Sequence, residues 1–492
     1  MERMKSAVGV ALALGIAATI FMKVERFGWA RGGVYTQTRH GDATTGVRRV
    51  PNLPPGDCGH CHQLHGTAGT ASGFALWMEN TNQLCYTCHS GESPKETYRG
   101  SIIYENSVHE SEFLVRWPGP EPPPRTDPAS SGICVNCHTP HGWGDDQGLI
   151  PSLLFKREEG LCLGCHKPAG SAVKEIETQM QYQFTHQITS RQMAGRHDAG
   201  EEMVSANFSG QERHAECVDC HNVHVHTSDL HQQGTNRASG VLLGASFVEA
   251  VYGAAPETFP SFQPKDQTFD IQFEYQLCFK CHSYWAYGSF PPLLPGGGGQ
   301  QTDQSIEFNP NNVSSHNVIQ TPNLDLRITA FVNGWSRSSQ MYCSDCHGSN
   351  RAQDPQGPHG SQLQFLLKAP WNLDTGQRTT DTSDHLCFLC HDFSTYAQPN
   401  DNRGTGFSAG NFSRNLHGLH SQEDHPLANR PIACMDCHNK IPHGMNRRAM
   451  LVVSTDPARL RGGTVLLLAS DIPNWGPTGD WEENDCNVAC HD

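Results

Sequence analysis

The sequence predicts a mostly irregular, loop-rich fold with short α-helices and few β-strands, on three observations. Only 36% of the 492 residues are hydrophobic, while 48 are glycine and 31 proline, above ordinary usage. All 20 cysteines fall into ten pairs, each followed at once by a histidine. The pairs recur about once per 49 residues, too little chain to wrap each in an apolar shell of its own.

Nine pairs read C-x-x-C-H: Cys58, Cys61 and His62; Cys85, Cys88 and His89; Cys134, Cys137 and His138; Cys162, Cys165 and His166; Cys217, Cys220 and His221; Cys278, Cys281 and His282; Cys343, Cys346 and His347; Cys387, Cys390 and His391; Cys434, Cys437 and His438. The tenth, Cys486, Cys490 and His491, is one residue longer. C-x-x-C-H is the attachment signature of c-type haem: two thiols add across the vinyl groups and the histidine becomes the proximal iron ligand. A zinc ribbon gives no reason for a histidine after every second cysteine. Iron–sulfur runs need tighter groups of four cysteines, and disulfide frameworks belong to small secreted domains. The expected cofactors are ten covalently bound haem c groups in a continuous stack wrapped by polypeptide. The macrocycles supply the apolar surface that this composition lacks, so the haem-free chain should be largely unfolded.

Covalent haem attachment takes place outside the cytoplasm, and the N-terminus carries a matching signal. Arg3 and Lys5 precede an apolar run from Ala7 to Met22, the pattern of a signal peptide. Residues 1–30 are read as that peptide or as an anchor, with cleavage expected near Ala30. The expected location is extracellular or at the cell surface, with the periplasm second. Residues 31–290 would carry haems 1–6 and 300–492 haems 7–10, divided by a Pro/Gly-rich linker at 291–299. A net charge of −15 argues against nucleic acid, which needs a basic face. No phosphate loop or G-x-G-x-x-G points to a nucleotide.

The motifs repeat in twos. Odd motifs are followed by a second histidine: His65, His141 and His224 three residues on, His359 and His443 further away in a Pro-His-Gly context. Before each odd motif stands another: His40, His109, His186 or His197, His316, and His417 or His420. The unit His, motif, His, motif therefore occurs five times, with two spare histidines per unit, enough for a second axial ligand at every haem. A haem with two protein ligands passes electrons; one with an open position can bind a substrate. Bis-histidine ligation throughout is the expectation, with low potentials. No methionine recurs at a fixed place in the repeat.

On Ser107-Val-His109, Ile133-Cys-Val-Asn-Cys-His-Thr-Pro-His-Gly142, Leu153-Leu-Phe-Lys156 and Leu161-Cys-Leu-Gly-Cys-His-Lys167, the chain resembles the doubled C-x-x-C-H family of multihaem cytochromes c over roughly residues 40–492. It departs from the pattern at Cys486, Cys490 and His491, and in the twelve-position step from His347 to His359. The resemblance implies electron conduction by hopping between haems, with redox proteins or an extracellular acceptor as partners. It also implies self-association into a filament in which a neighbouring subunit donates a distal histidine, His40 being the candidate. A multihaem reductase with one open haem and a porin-associated conduit are the alternatives. Regular structure is expected in short helices on the motifs, as at Glu159–Lys167, and in a hairpin of Met450–Ser454 with Thr464–Ala469.

Overall fold

The computed structural model describes residues 34–63, 76–79, 81–89, 107–111, 134–145, 148–186, 188, 215–229, 231–266, 271–288, 303–320, 328–371, 384–398, 404–409, 414–421 and 432–461. They form two compact units, 34–174 with the first four motifs and 175–461 with the next five. Residues 1–33, His65, His197, Pro291–Gly299 and Thr464–Ala469 lie outside the described residues. So does the whole of the stretched tenth motif, where Cys486 and Cys490 were expected to attach a haem and His491 to ligate it.

The architecture is loop-rich. Among the described residues the longest helix is Asn82–His89, and most others are single turns. Ten short strands there pair antiparallel in twos: β1 (Gly144–Asp145) with β2 (Gly148–Leu149), β3 (Phe184–Thr185) with β7 (Gly360–Ser361), β4 (Phe247–Val251) with β5 (Ser261–Lys265), β6 (Ser314–Ser315) with β10 (Gly444–Met445), and β8 (Ser408–Ala409) with β9 (Arg414–Asn415). Pairs so small are not independently stable; β1/β2, β4/β5 and β8/β9 close local hairpins, whereas β3/β7 and β6/β10 act as clips between distant parts of the chain. No described helix is long and apolar enough to cross a membrane.

Two expected elements differ in detail. The helix expected at Glu159–Lys167 spans Glu158–Cys162. Beyond it, Gly164 N bonds Leu161 O and Cys165 N bonds Cys162 O, the tighter i→i−3 pattern of a helix end, and Gly164 and Pro168 disfavour its continuation. Met450–Ser454 is not a strand. Arg448–Met450 form a 3₁₀ turn, and Leu451 makes one bridge to His438.

Apolar packing comes in small clusters rather than one core. Val248, Phe279, Trp285, Phe308, Val318 and Met341 pack together, and Leu242, Ala245, Phe247, Ile271 and Leu277 form a second group. The first places β4 and the sixth motif beside Phe308, whose ring neighbours that of His443.

Candidate haem sites

Each described C-x-x-C-H is helical or turn-like: the second lies in the helix Asn82–His89, and the others form or continue a single turn. The histidine N–H returns to the carbonyl of the first cysteine in eight motifs, at 2.8–3.0 Å for His62, His138, His166, His221, His282, His347, His391 and His438. This i→i−4 closure puts the first cysteine and the histidine on one face. The second cysteine is fixed through its backbone. Cys137 N donates to Cys134 O at 3.1 Å inside the turn. Cys437 O accepts from Val452 N at 2.8 Å, as Cys346 O does from Lys368 N at 3.0 Å.

Three turns are started by the aspartate inside the motif. Asp219, Asp345 and Asp436 accept from the backbone N–H of Glu216, Tyr342 and Ala433 at 2.7, 2.8 and 2.7 Å, half of a capping box worth about 1 kcal/mol. The eighteen described cysteines, Cys137 and Cys437 among them, are all free thiols, as attachment requires.

A second recurring piece orients the proximal ring. His138, His347 and His438 donate Nδ1–H to the carbonyls of Ser152, Phe365 and Ala449 at 2.9, 2.7 and 2.7 Å. Those three acceptors, with Leu153, Leu366 and Met450 that follow them, adopt left-handed φ of 51–62°, which costs about 1–2 kcal/mol per non-glycine residue. The turn is held because its second carbonyl is also used: Thr139, Gly348 and Asn439, each next after the histidine, donate to Leu153, Leu366 and Met450 at 2.6, 2.6 and 2.8 Å. The next residue in each, Leu154, Leu367 or Leu451, bridges the histidine backbone. His221 donates to Val241 O at 2.9 Å and His166 to Lys174 O at 2.7 Å. A carbonyl can only accept, so Nδ1 carries the proton and Nε2 is left bare, the form a metal ligand requires. Sequence reading missed these acceptors; the available signal was the pair Leu153-Leu154, Leu242-Leu243, Leu366-Leu367 and Met450-Leu451 at one place in four repeats.

The spare histidines are presented in clips. In β3/β7, His186 N bonds His359 O at 3.3 Å and His186 Nδ1 donates to Pro358 O at 2.6 Å. In β6/β10, His316 N bonds His443 O at 2.9 Å and His316 Nδ1 donates to Pro442 O. His40 Nδ1 donates to Pro140 O at 3.3 Å beside His141. One upstream histidine thus meets one Pro-His-Gly histidine each time. The glycine is there for space: a Cβ on Gly360 would stand 2.0 Å from Gln179 O, and one on Gly444 2.3 Å from Glu307 O.

These devices bring spare and proximal rings together. Ring centroids are 5.8 Å apart for His62 and His141, 6.0 Å for His40 and His89, and 6.2 Å for His109 and His166. They are 6.0 Å apart for His186 and His282, 6.1 Å for His221 with His359 and for His347 with His443, and 6.2 Å for His417 and His438. Two iron–nitrogen bonds of about 2 Å and two ring radii span about 6.3 Å, so an iron fits between each pair. His316 lies near enough to His391 to act on it electrostatically. Of His186 and His197, His186 is the one described and it meets His282. Of His417 and His420, His417 meets His438, while His420 stacks on Phe407 at 5.6 Å and donates to Leu416 O at 2.7 Å. His226, left aside in the sequence reading, stands edge-on 6.5 Å from His221. The His224 backbone N–H donates to Asn222 Oδ1 at 3.1 Å. His40, the candidate for donation to another subunit, is matched with His89 of its own chain.

Burial pushes the His347 imidazole down to about 4 and those of His391 and His417 down to about 3. It holds His40, His138, His141, His316 and His438 below their usual value too. All are neutral at pH 7, as a ligand must be.

Thiols of consecutive motifs adjoin. Cys61 lies near Cys88 and Cys85, and Cys85 hydrogen-bonds Cys134. In the second unit Cys220 lies near Cys281 and Cys278, Cys278 bonds Cys343, Cys390 lies near Cys346, and Cys387 bonds Cys434. Hydrogen bonding to the neighbouring thiol, then burial, raises Cys134, Cys278 and Cys387 far above the ordinary thiol range. Glu274, Cys278 and Cys343 put ligand atoms within 4.8 Å of one another, but both thiols are attachment positions and Glu274 accepts from Ser344 N and Oγ at 2.8 and 2.7 Å.

The doubled CXXCH motif family matches residues 53–94 and 127–171, covering the first four motifs. The match supports a multihaem c-type cytochrome. That class binds haem c covalently, is typically exported and carries electrons, although some of its members are reductases. Neither the curated proteins nor the solved structures give a match.

Proposed function

We propose that this chain is a decahaem c-type cytochrome that conducts electrons along a row of bis-histidine haems, outside the cell. The observation that supports it best is the adjacency of motifs in sequence order, first to third in one unit and fifth to ninth in the other. When bound, each haem supplies a one-electron ferric/ferrous couple, and hopping between neighbours is the conduction. The chain's residues do the rest. Thiols of consecutive motifs would attach neighbouring haems, the histidine pairs would supply two ligands to each iron, and backbone carbonyls fix the tautomers. The tenth haem belongs to Cys486, Cys490 and His491, and its assignment rests on the sequence alone.

Cofactor counting and spectroscopy test this reading. Intact mass should rise by ten haems, and the ferric protein should be wholly low-spin, with no carbon monoxide adduct when reduced. A mass gain of nine haems would remove the stretched motif from the row. A high-spin fraction near one haem in ten would replace the conduit with the reductase reading.

We also propose that the protein associates with copies of itself into a filament, an idea suggested by the doubled-motif resemblance. It does not need His40 as the donated ligand, because His89 of the same chain lies opposite that ring. Micrographs showing monomers under all conditions would refute it. Surface exposure is tested by protease treatment of intact cells, where full protection of the cytochrome would point to the periplasm.

A further inference from the structure

The described Nδ1–H groups of His40, His138, His166, His186, His221, His316, His347, His420 and His438 donate to backbone carbonyls. His443 differs: its Nδ1 donates to the carboxylate of Glu307, 2.7 Å from Oε2. Both side chains are largely buried, at 21% and 10% exposure, so solvent screens the charge weakly.

Glu307 is held in place by several contacts. It ends the single-turn helix Gln304–Glu307, whose cap Asp303 accepts through Oδ1 from Ser305 N and Ile306 N at 2.9 and 3.2 Å. The other carboxylate oxygen of Asp303 accepts from Tyr284 N at 2.6 Å. Buried Asn312 donates to Glu307 O at 2.8 Å, and the Phe308 ring lies 4.8 Å from that of His443. The backbone of Glu307 is also what Gly444 makes room for. In the neighbouring clip that place belongs to Gln179, whose carbonyl faces Gly360 in the same way and whose side chain is buried and uncharged.

We propose that Glu307 is a positioning residue that sets the potential of the haem held by His347 and His443 below that of the haem held by His221 and His359. The inference rests on reading these pairs as axial ligands. A carboxylate acceptor strengthens the hydrogen bond and gives the imidazole anionic character. It also places a negative charge near an iron that gains one positive charge on oxidation. Both effects favour the ferric form, and the electron released passes to an adjoining haem. The clip pair therefore builds a step in potential along the row, anionic at one haem and neutral at its counterpart.

The test is a spectroelectrochemical titration of the fully loaded protein. Glu307→Gln keeps an acceptor oxygen and removes the charge. One component of the titration should move upward so that its reduced-to-oxidised ratio at fixed potential changes about tenfold, or 59 mV for a one-electron couple, while the ferric spectrum stays low-spin. Gln179→Glu should move one component downward and serves if the first variant does not fold. Superposable titrations of Glu307→Gln and wild type, or an unshifted Gln179→Glu, would overturn the proposal. His443→Ala separates the two levels: a new high-spin haem supports the axial reading, and a spectrum without one removes that reading and the tuning with it.

Discussion

In the β3/β7 clip the backbone that presses on the glycine belongs to Gln179; in the β6/β10 clip it belongs to Glu307. The rest is shared: a two-residue ladder, an upstream histidine donating to the proline carbonyl, and two rings presented to two different motifs. The backbone geometry that presents the histidines is thus separable from the side chain behind them, which differs in charge between the two clips without disturbing the ladder. A repeat can be copied for its scaffold and tuned one haem at a time.

The largest effect should come from filling the space both clips depend on. Gly360→Ala and Gly444→Ala push a Cβ to 2.0 and 2.3 Å from a backbone carbonyl, and a backbone atom cannot swing aside as a side-chain tip can. Each variant should lose about 1–3 kcal/mol and bring a high-spin signal approaching two haems, since each clip carries two of the proposed ligands. Electron paramagnetic resonance and urea unfolding read both. A variant with one high-spin haem would mean that the two ligands are delivered independently.

Single ligand removal should be half as severe. His359→Ala should convert one haem to high spin, whereas His226→Ala should leave the ferric spectrum unchanged. His226 sits at 6.5 Å and 77° to His221, His359 at 6.1 Å and 33°. The opposite result would exchange their roles.

The smallest effect compares the turns under the proximal histidines. Ala449 stands at φ 51°, so Ala449→Gly should relieve strain and raise stability by about 1 kcal/mol. Val241, in the corresponding turn Gly240–Leu242, is not among the left-handed residues, so Val241→Gly should lower stability by about 0.5–1 kcal/mol. Equal signs from the two in urea unfolding would show that the carbonyl, not the left-handed backbone, governs the turn.

The loop-rich class and the C-x-x-C-H turns could be read from composition and spacing, because the motif is local and its histidine closes back on the first cysteine within one helical turn. The interior aspartates of the Cys217, Cys343 and Cys434 motifs make that turn self-starting. The Pro-His-Gly histidines and their upstream counterparts could be recognised as a set by repetition. Which of them meets which motif could not, since His359 reaches a motif 138 residues earlier and His316 one 75 residues later. Such pairings depend on ladders between strands too short to announce themselves in sequence. The helix at Glu158–Cys162 was legible as an element and not in its end, where glycine and proline tighten the last turn.

By itself, then, the sequence determined the number and kind of attachment motifs, their pairing into five units and the surplus of histidine, all of which follow from residue type at short range. Only the tertiary structure decided the partners: which rings face each other across an iron's width, which carbonyls fix their tautomers, and that one of them leans on a carboxylate. Those are distances between residues far apart in the chain, set by where the clips close, and no local pattern encodes them.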